Sequence, residues 1–223
     1  MDLYNSILEN KEYLKLAHDI GKMKFITNGK WDWEHGLGHY QRVASYVKLI
    51  LMQLGADKRT IDLGMSSALL HDIGLIKGEK VNHAIESSNM FTNFIKDTDI
   101  TSDECEIIRQ AIYDHSSCND IKSLIGLSLA LADKLDVTYH RTINSSIKDE
   151  VNKEFGKIKS VDIKITEDDL IVSYDTEKDF DINILKHWNK TITIPIKVAE
   201  YLNKKYIFIV NGKEILYDEI LKY

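Results

Sequence analysis

"SSALLHDIGLIKGEKVNHAIESS", residues 66–88, is the stretch on which the reading of this chain turns. An apolar run ends in the doublet His71–Asp72, and His83 follows at the head of a second helical pattern. The stretch reads either as a metal site or as a helix end with polar decoration. The same His-Asp-Ile-Gly spelling occurs at residues 18–21, in "LKLAHDIGKM", and at most one copy can belong to a given site.

Bulk composition bounds the answer. The chain has 223 residues, of which 43% are hydrophobic and 29% charged, with a formal charge of −6. That is globular composition, and the acidic balance argues against a nucleic-acid polymer as partner while leaving room for a local basic pocket for phosphate. No basic segment followed by an apolar stretch opens the chain, and its most apolar helix, "VASYVKLILMQLG", is interrupted by Lys48 and too short to span a bilayer. The expectation is a soluble, cytoplasmic protein without a membrane partner. The two cysteines, Cys105 and Cys118, fit no metal-binding or redox spacing and allow at most one disulfide.

Working outward, apolar residues before position 150 recur at steps of three and four, which predicts helices over roughly 3–20, 37–54, 58–72, 83–96, 102–115 and 121–148. Thr101 and Glu104 have capping-box form, and Gly55 and Gly74 stand where helices should stop. After residue 158 the period changes to two. "SVDIKIT" and "LIVSYDT" predict a hairpin, "YIFIVNGKEI" a third strand and a short fourth across Asn211–Gly212, with helical stretches near 181–189 and 195–204 between them. The fold class expected is mainly α, a helical bundle over residues 1–150, followed by a small α+β region with an antiparallel sheet over 151–223.

Placed on these helices, the polar residues converge. His39 shares a stripe with Val43, Val47 and Ile50, Asp72 with Met65 and Ala68, and His83 with Met90 and Phe94. His115 follows Ile108, Ala111 and Ile112, and Asp133 ends "LIGLSLALAD", a helix apolar enough to be buried all round. A buried carboxylate there needs a partner. A lone histidine on an apolar face is ordinarily a hydrogen-bonded core residue, but inward histidines and aspartates on consecutive helices point to a shared centre. Imidazole and carboxylate are the donors of Zn²⁺, Mn²⁺ and Fe, and one carboxylate can bridge ions about 3.5–4 Å apart.

The order "HYQRV", "LLHDIG", "NHAIESS", "AIYDHSS", "LALADKLD" resembles the HD superfamily of metal-dependent phosphohydrolases over roughly residues 30–145. The resemblance implies a helical bundle in which His39, His71, Asp72 and Asp133 are primary metal ligands. His83 and His115 match the extra histidines of two-metal members, with Asp72 bridging. It implies one or two divalent ions (Fe, Mn, Zn, Co, Ni or Mg) as cofactor, and hydrolysis by metal-activated water of a phosphoester or phosphoanhydride in a nucleotide or related small phosphorylated substrate. Asp72, Arg42 and Lys134 are the catalytic candidates, the two cations as phosphate contacts. The chain departs from the cyclic-dinucleotide phosphodiesterases in having no GYP motif, and from the ppGpp hydrolases in lacking their downstream Glu-Asp motif.

The first doublet has no upstream histidine to act with it, so His71–Asp72 is preferred, although His18 falls on a stripe with Ile7 and Leu14 and Gly21 reads as a helix C-cap. His35, Asp114 and His140 are weaker candidates for supporting contacts. The rival from another class is a catalytically idle nucleotide-sensing module that signals through the C-terminal sheet; a purely structural metal site is disfavoured by the excess of ligands. Oligomeric state is not legible.

Overall fold

The computed structural model describes residues 2–24, 26–27, 30–31, 33–117, 121, 123–142, 150–217 and 220. Cys118 lies outside these residues, and the helix expected over 121–148 runs only from Leu124 to Leu135, with positions 143–148 of that expectation outside the described residues. The chain divides into two compact units, residues 1–25 with 35–133, and residues 26–34 with 134–223. The fold is mainly helical with a C-terminal four-stranded sheet, as the change of period implied.

The first unit contains α1 (Leu3–Glu9), α2 (Lys11–Gly21), α3 (Leu37–Gln53), α4 (Lys58–Leu70), α5 (His83–Met90), α6 (Ser102–Asp114) and most of α7 (Leu124–Leu135). The single helix expected over 3–20 is broken at Asn10, which ends α1 and whose Oδ1 accepts from the Glu12 and Tyr13 amides to start α2. A competent cap in mid-pattern overrides apolar periodicity. The Asp62 carboxylate on α4 accepts from the Leu3 and Tyr4 amides at 2.9 and 3.0 Å, so α4 satisfies the exposed donors that open α1. The capping box at Thr101 and Glu104 forms as read, and Glu104 also accepts a two-pronged pair from Arg59.

α3 and α4 pack closely because Gly64 has no side chain: a Cβ there would lie 2.5 Å from Leu51 Cδ1 and 2.9 Å from Val47 Cγ1. Tyr13, Ala17, Val43, Val47, Leu51, Leu69, Leu70, Ile108 and Ile112 are buried in this unit. α7 is buried nearly all round at Leu129, Ala130, Leu131 and Ala132, as its sequence demanded.

The second unit holds the two-residue strands β1 (Ile26–Thr27) and β2 (Lys30–Trp31), then α8 (Glu150–Phe155), β3 (Ile158–Ile165), β4 (Asp169–Thr176), α9 (Lys190–Tyr201), β5 (Lys205–Val210) and β6 (Lys213–Glu214). The sheet order is β3-β4-β5-β6, with β3/β4 and β5/β6 antiparallel and β4/β5 parallel. The parallel pair departs from a purely antiparallel sheet because the connection from β4 to β5 carries a helix, which returns the chain in the same direction. That helix starts at Lys190, upstream of the expected start, and holds Pro195 inside it. Among the described residues no helix is long and apolar enough to cross a membrane.

Candidate metal centre

The elements of the first unit end where chemistry gathers. His39 lies in the second half-turn of α3, His71 caps the C-terminus of α4, His83 is the first residue of α5, His115 caps the C-terminus of α6, and Asp133 sits in α7. Asp72 follows α4 at the entry to a 3₁₀ turn, Ile73–Lys77. This turn lies against α5 because Gly74 is bare. A Cβ there would meet the His83 carbonyl at 2.4 Å and the Ser87 amide at 2.5 Å, and the Gly74 amide donates to Ser87 Oγ. Gly74 therefore admits α5, and with it His83, to the doublet; α4 itself stops earlier, at Leu70.

Three imidazoles are aimed by one device. His71, His83 and His115 each bring Nδ1 to the carbonyl three residues upstream, Ala68 at 2.7 Å, Lys80 at 2.5 Å and Ile112 at 2.6 Å. A carbonyl only accepts, so Nδ1 carries the proton and Nε2 presents a lone pair. His71 Nε2 is fully buried with no hydrogen-bond partner. His83 Nε2 and His115 Nε2 lie 3.1 Å apart. Two acceptors at that distance repel unless a proton or a cation stands with them. This is the arrangement of ligands around a positive charge.

Asp72 is the hub, and its oxygens divide the histidines. Oδ2 lies 3.5 Å from His71 Nε2 and 3.8 Å from His39 Nε2, while Oδ1 lies 3.2 Å from His83 Nε2 and 3.5 Å from His115 Nε2. Asp133 Oδ1 joins the first group, 3.4 Å from His39 Nε2 and 3.8 Å from His71 Nε2. The donor sets His39–His71–Asp133 and His71–Asp72–His115 are each compact enough to hold a metal ion. Burial disfavours charge on Asp72, but the surrounding histidines, His71 foremost, outweigh it and hold the carboxyl well below its ordinary range. Burial likewise opposes charge on His71, yet Asp72 and Asp133 raise its pKa. At His83 burial wins, taking the pKa down to about 4 and leaving the neutral imidazole that ligation requires.

Residues 36–138 match the family model of the HD domain. This span is similar to an HD domain. No curated protein shows significant similarity to the chain. HD domains belong to a superfamily of metal-dependent hydrolases, and the clustered histidines and aspartates fit divalent metal in donor type, burial and lone-pair direction. The matched span of the HD domain contains His39, His71, Asp72, His83, His115 and Asp133 and begins just after His35.

His35 is the residue that sequence reasoning undervalued. Its Nδ1–H donates to Asp72 Oδ2 at 2.8 Å, and it is buried at 7% exposure. A helical reading placed it one turn before His39, but α3 begins only at Leu37, after Gly36, so His35 enters from extended chain. Other expectations are corrected. His18 does not face inward: its side chain is 66% exposed, while Tyr13, Ala17 and Ile20 make the buried face of α2. Gly21 is the last helical residue of α2, and Lys22 is the cap. Asp114 accepts from Gln110 at 2.6 Å, and the imidazole of His115 is oriented by Ile112 instead. His140 is not on the helix of Asp133, since α7 stops at Leu135; it is exposed in a 3₁₀ turn, with its ring 3.9 Å from that of Tyr139. Arg42, three residues after His39 on α3, and Lys134, directly after Asp133, are both half-buried.

Proposed function

We propose that the HD-like domain of this chain is a metal-dependent phosphohydrolase acting on a nucleotide or a related small phosphorylated substrate. The observation that supports this reading is the division of Asp72 between two groups of histidines, with His83 and His115 presenting lone pairs to each other at 3.1 Å. In this reading His39, His71, Asp72 and Asp133 hold one divalent cation, and His83, His115 and the other oxygen of Asp72 hold a second. Such cations, when bound, bring the pKa of water towards neutrality and offset charge on a phosphoryl group.

The side chains of the chain supply the rest. The Nδ1–H bonds to Ala68, Lys80 and Ile112 fix ring orientation and tautomer. His35 orients Asp72, while Arg42 and Lys134, each close in sequence to a metal-centre residue, are assigned to the phosphoryl oxygens. The nitrogen-rich donors suit Mn, Fe, Co, Ni or Zn better than Mg.

The test is metal analysis of protein purified without chelator, followed by phosphate release across a nucleotide panel. The expected result is bound divalent metal and turnover of at least one nucleotide, abolished in Asp72→Ala. Nucleotide binding without turnover, accompanied by ligand-dependent protection from hydrogen exchange in residues 158–217, would make the chain a sensor instead.

A further inference from the structure

Within the second unit, Arg141 is buried at 4% exposure, an unusual place for a guanidinium. Its Nε donates to the Glu34 carbonyl at 3.1 Å and its Nη1 to the Asp136 carbonyl at 3.2 Å, while the Asp136 carboxylate stands 3.7 Å from Nε. The backbone closes the same clasp: the Glu34 amide donates to the Arg141 carbonyl at 3.0 Å. The guanidinium carbon lies 5.3 Å from the ring centroid of Trp33, whose Nε1 donates to Asn152 Oδ1 at 2.7 Å and whose ring packs edge-on against Phe155. Residues 33, 34, 136 and 141 are thereby held as one piece.

The places clasped are not arbitrary. The chain leaves this unit between Glu34 and His35 and re-enters it between Asp133 and Lys134. His35, the next residue after the clasped Glu34, donates to Asp72, and Asp133, three positions before the clasped Asp136, faces His39 and His71. Consecutive Cα atoms are held about 3.8 Å apart by the planar peptide, so holding Glu34 in place limits where the backbone of His35 can lie.

We propose that Arg141 is a positioning residue for the metal centre, fixing His35 and Asp133 by clasping the chain beside both of its crossings. The proposal rests on the metal reading above. A planar fork is needed because donors from one guanidinium must reach two carbonyls on separate segments; the single ammonium of lysine cannot reproduce that span.

The experiment measures Mn²⁺ affinity and the absorption spectrum of the Co²⁺-loaded full chain for the unmutated protein, Arg141→Gln, Arg141→Lys and Val198→Ala. Val198 is buried in α9 and serves as a matched loss of stability in the same unit. Both Arg141 variants are expected to lose about tenfold or more in Mn²⁺ affinity, the scale of an outer-shell defect, and to shift the Co²⁺ spectrum, whereas Val198→Ala lowers the melting temperature and moves neither. If Arg141→Gln does not fold, Arg141→Lys carries the test. The loss in Arg141→Lys should also be non-additive with that of His35→Gln, because one acts through the other. Arg141 variants that match Val198→Ala in affinity and spectrum would overturn the proposal alone. An unmutated protein that binds neither Mn²⁺ nor Co²⁺ would overturn the metal reading and this proposal with it.

Discussion

The chain spells His-Asp-Ile-Gly twice, and the copies have opposite fates. At residues 18–21 the letters continue α2: His18 is 66% exposed, and Asp19 pairs with Lys15 at 2.6 Å on the surface. At residues 71–74 α4 has ended, His71 is fully buried, and Asp72 touches histidines from other elements. Four identical residues thus make an ordinary surface ion pair in one place and the hub of a candidate metal centre in the other. What differs is the company each copy keeps. A site is made by donors that arrive from elsewhere in the fold, and a short motif only supplies its share of them.

The sharpest way to break this comparison is to delete one carboxylate from each copy. Asp72→Ala should lose bound metal and phosphohydrolase activity together, while His18→Ala and Asp19→Ala keep both, read by metal analysis and phosphate release. Metal loss in the first copy with none in the second would reverse the assignment. A smaller effect is expected from the histidines that face Asp72 Oδ1. The unmutated chain should hold close to two ions, falling towards one in the His83→Ala, His115→Ala double variant; a stoichiometry of one, unchanged by the mutations, would return those histidines to the protein core.

The copies should also respond differently to pH. Asp72 and Asp133 raise the pKa of His71 above its ordinary value, and a protonated imidazole cannot ligate. Metal affinity should therefore be greatest above the raised pKa and fall as pH drops through it, by up to about tenfold per pH unit for one displaced proton. In the metal-free protein the sign is opposite: the interaction that raises the pKa stabilises the fold below the unfolded value of about 6.5 and is lost as pH rises through the folded value. Titrating Mn²⁺ binding, and melting the metal-free chain, between pH 5.5 and 8.5 tests both signs.

The smallest effect concerns the glycines. Gly74→Ala should destabilise the chain by about 1–3 kcal/mol, as overpacking does, because its Cβ would press on the backbone of α5. It should also weaken metal binding by moving His83. Gly21→Ala, at the end of α2, should leave metal content unchanged. Equal effects at both glycines would erase the structural distinction between the copies.

Much of this was legible in the residues themselves. Apolar period located the helices of the first unit, though not the break at Asn10 or the stop of α7 at Leu135, and it gave the alternation of β3 and β4; the buried run of α7 announced that Asp133 needed partners. The inward faces of His39, His83 and His115 followed from the same counting, and the family resemblance added their order. Local signals of this kind are written in consecutive residues, since side-chain spacing along a helix or strand is set by backbone geometry alone. Other features depended on atoms far apart in sequence. That His35 reaches Asp72, that Gly74 makes room for α5, that His18 faces water, and that Arg141 gathers residues 34 and 136 are all consequences of long-range packing. The sequence determined which side chains were available for a metal centre; only the tertiary structure decided which of them meet, because lone pairs and hydrogen bonds act over a few ångströms and chain proximity does not measure that distance.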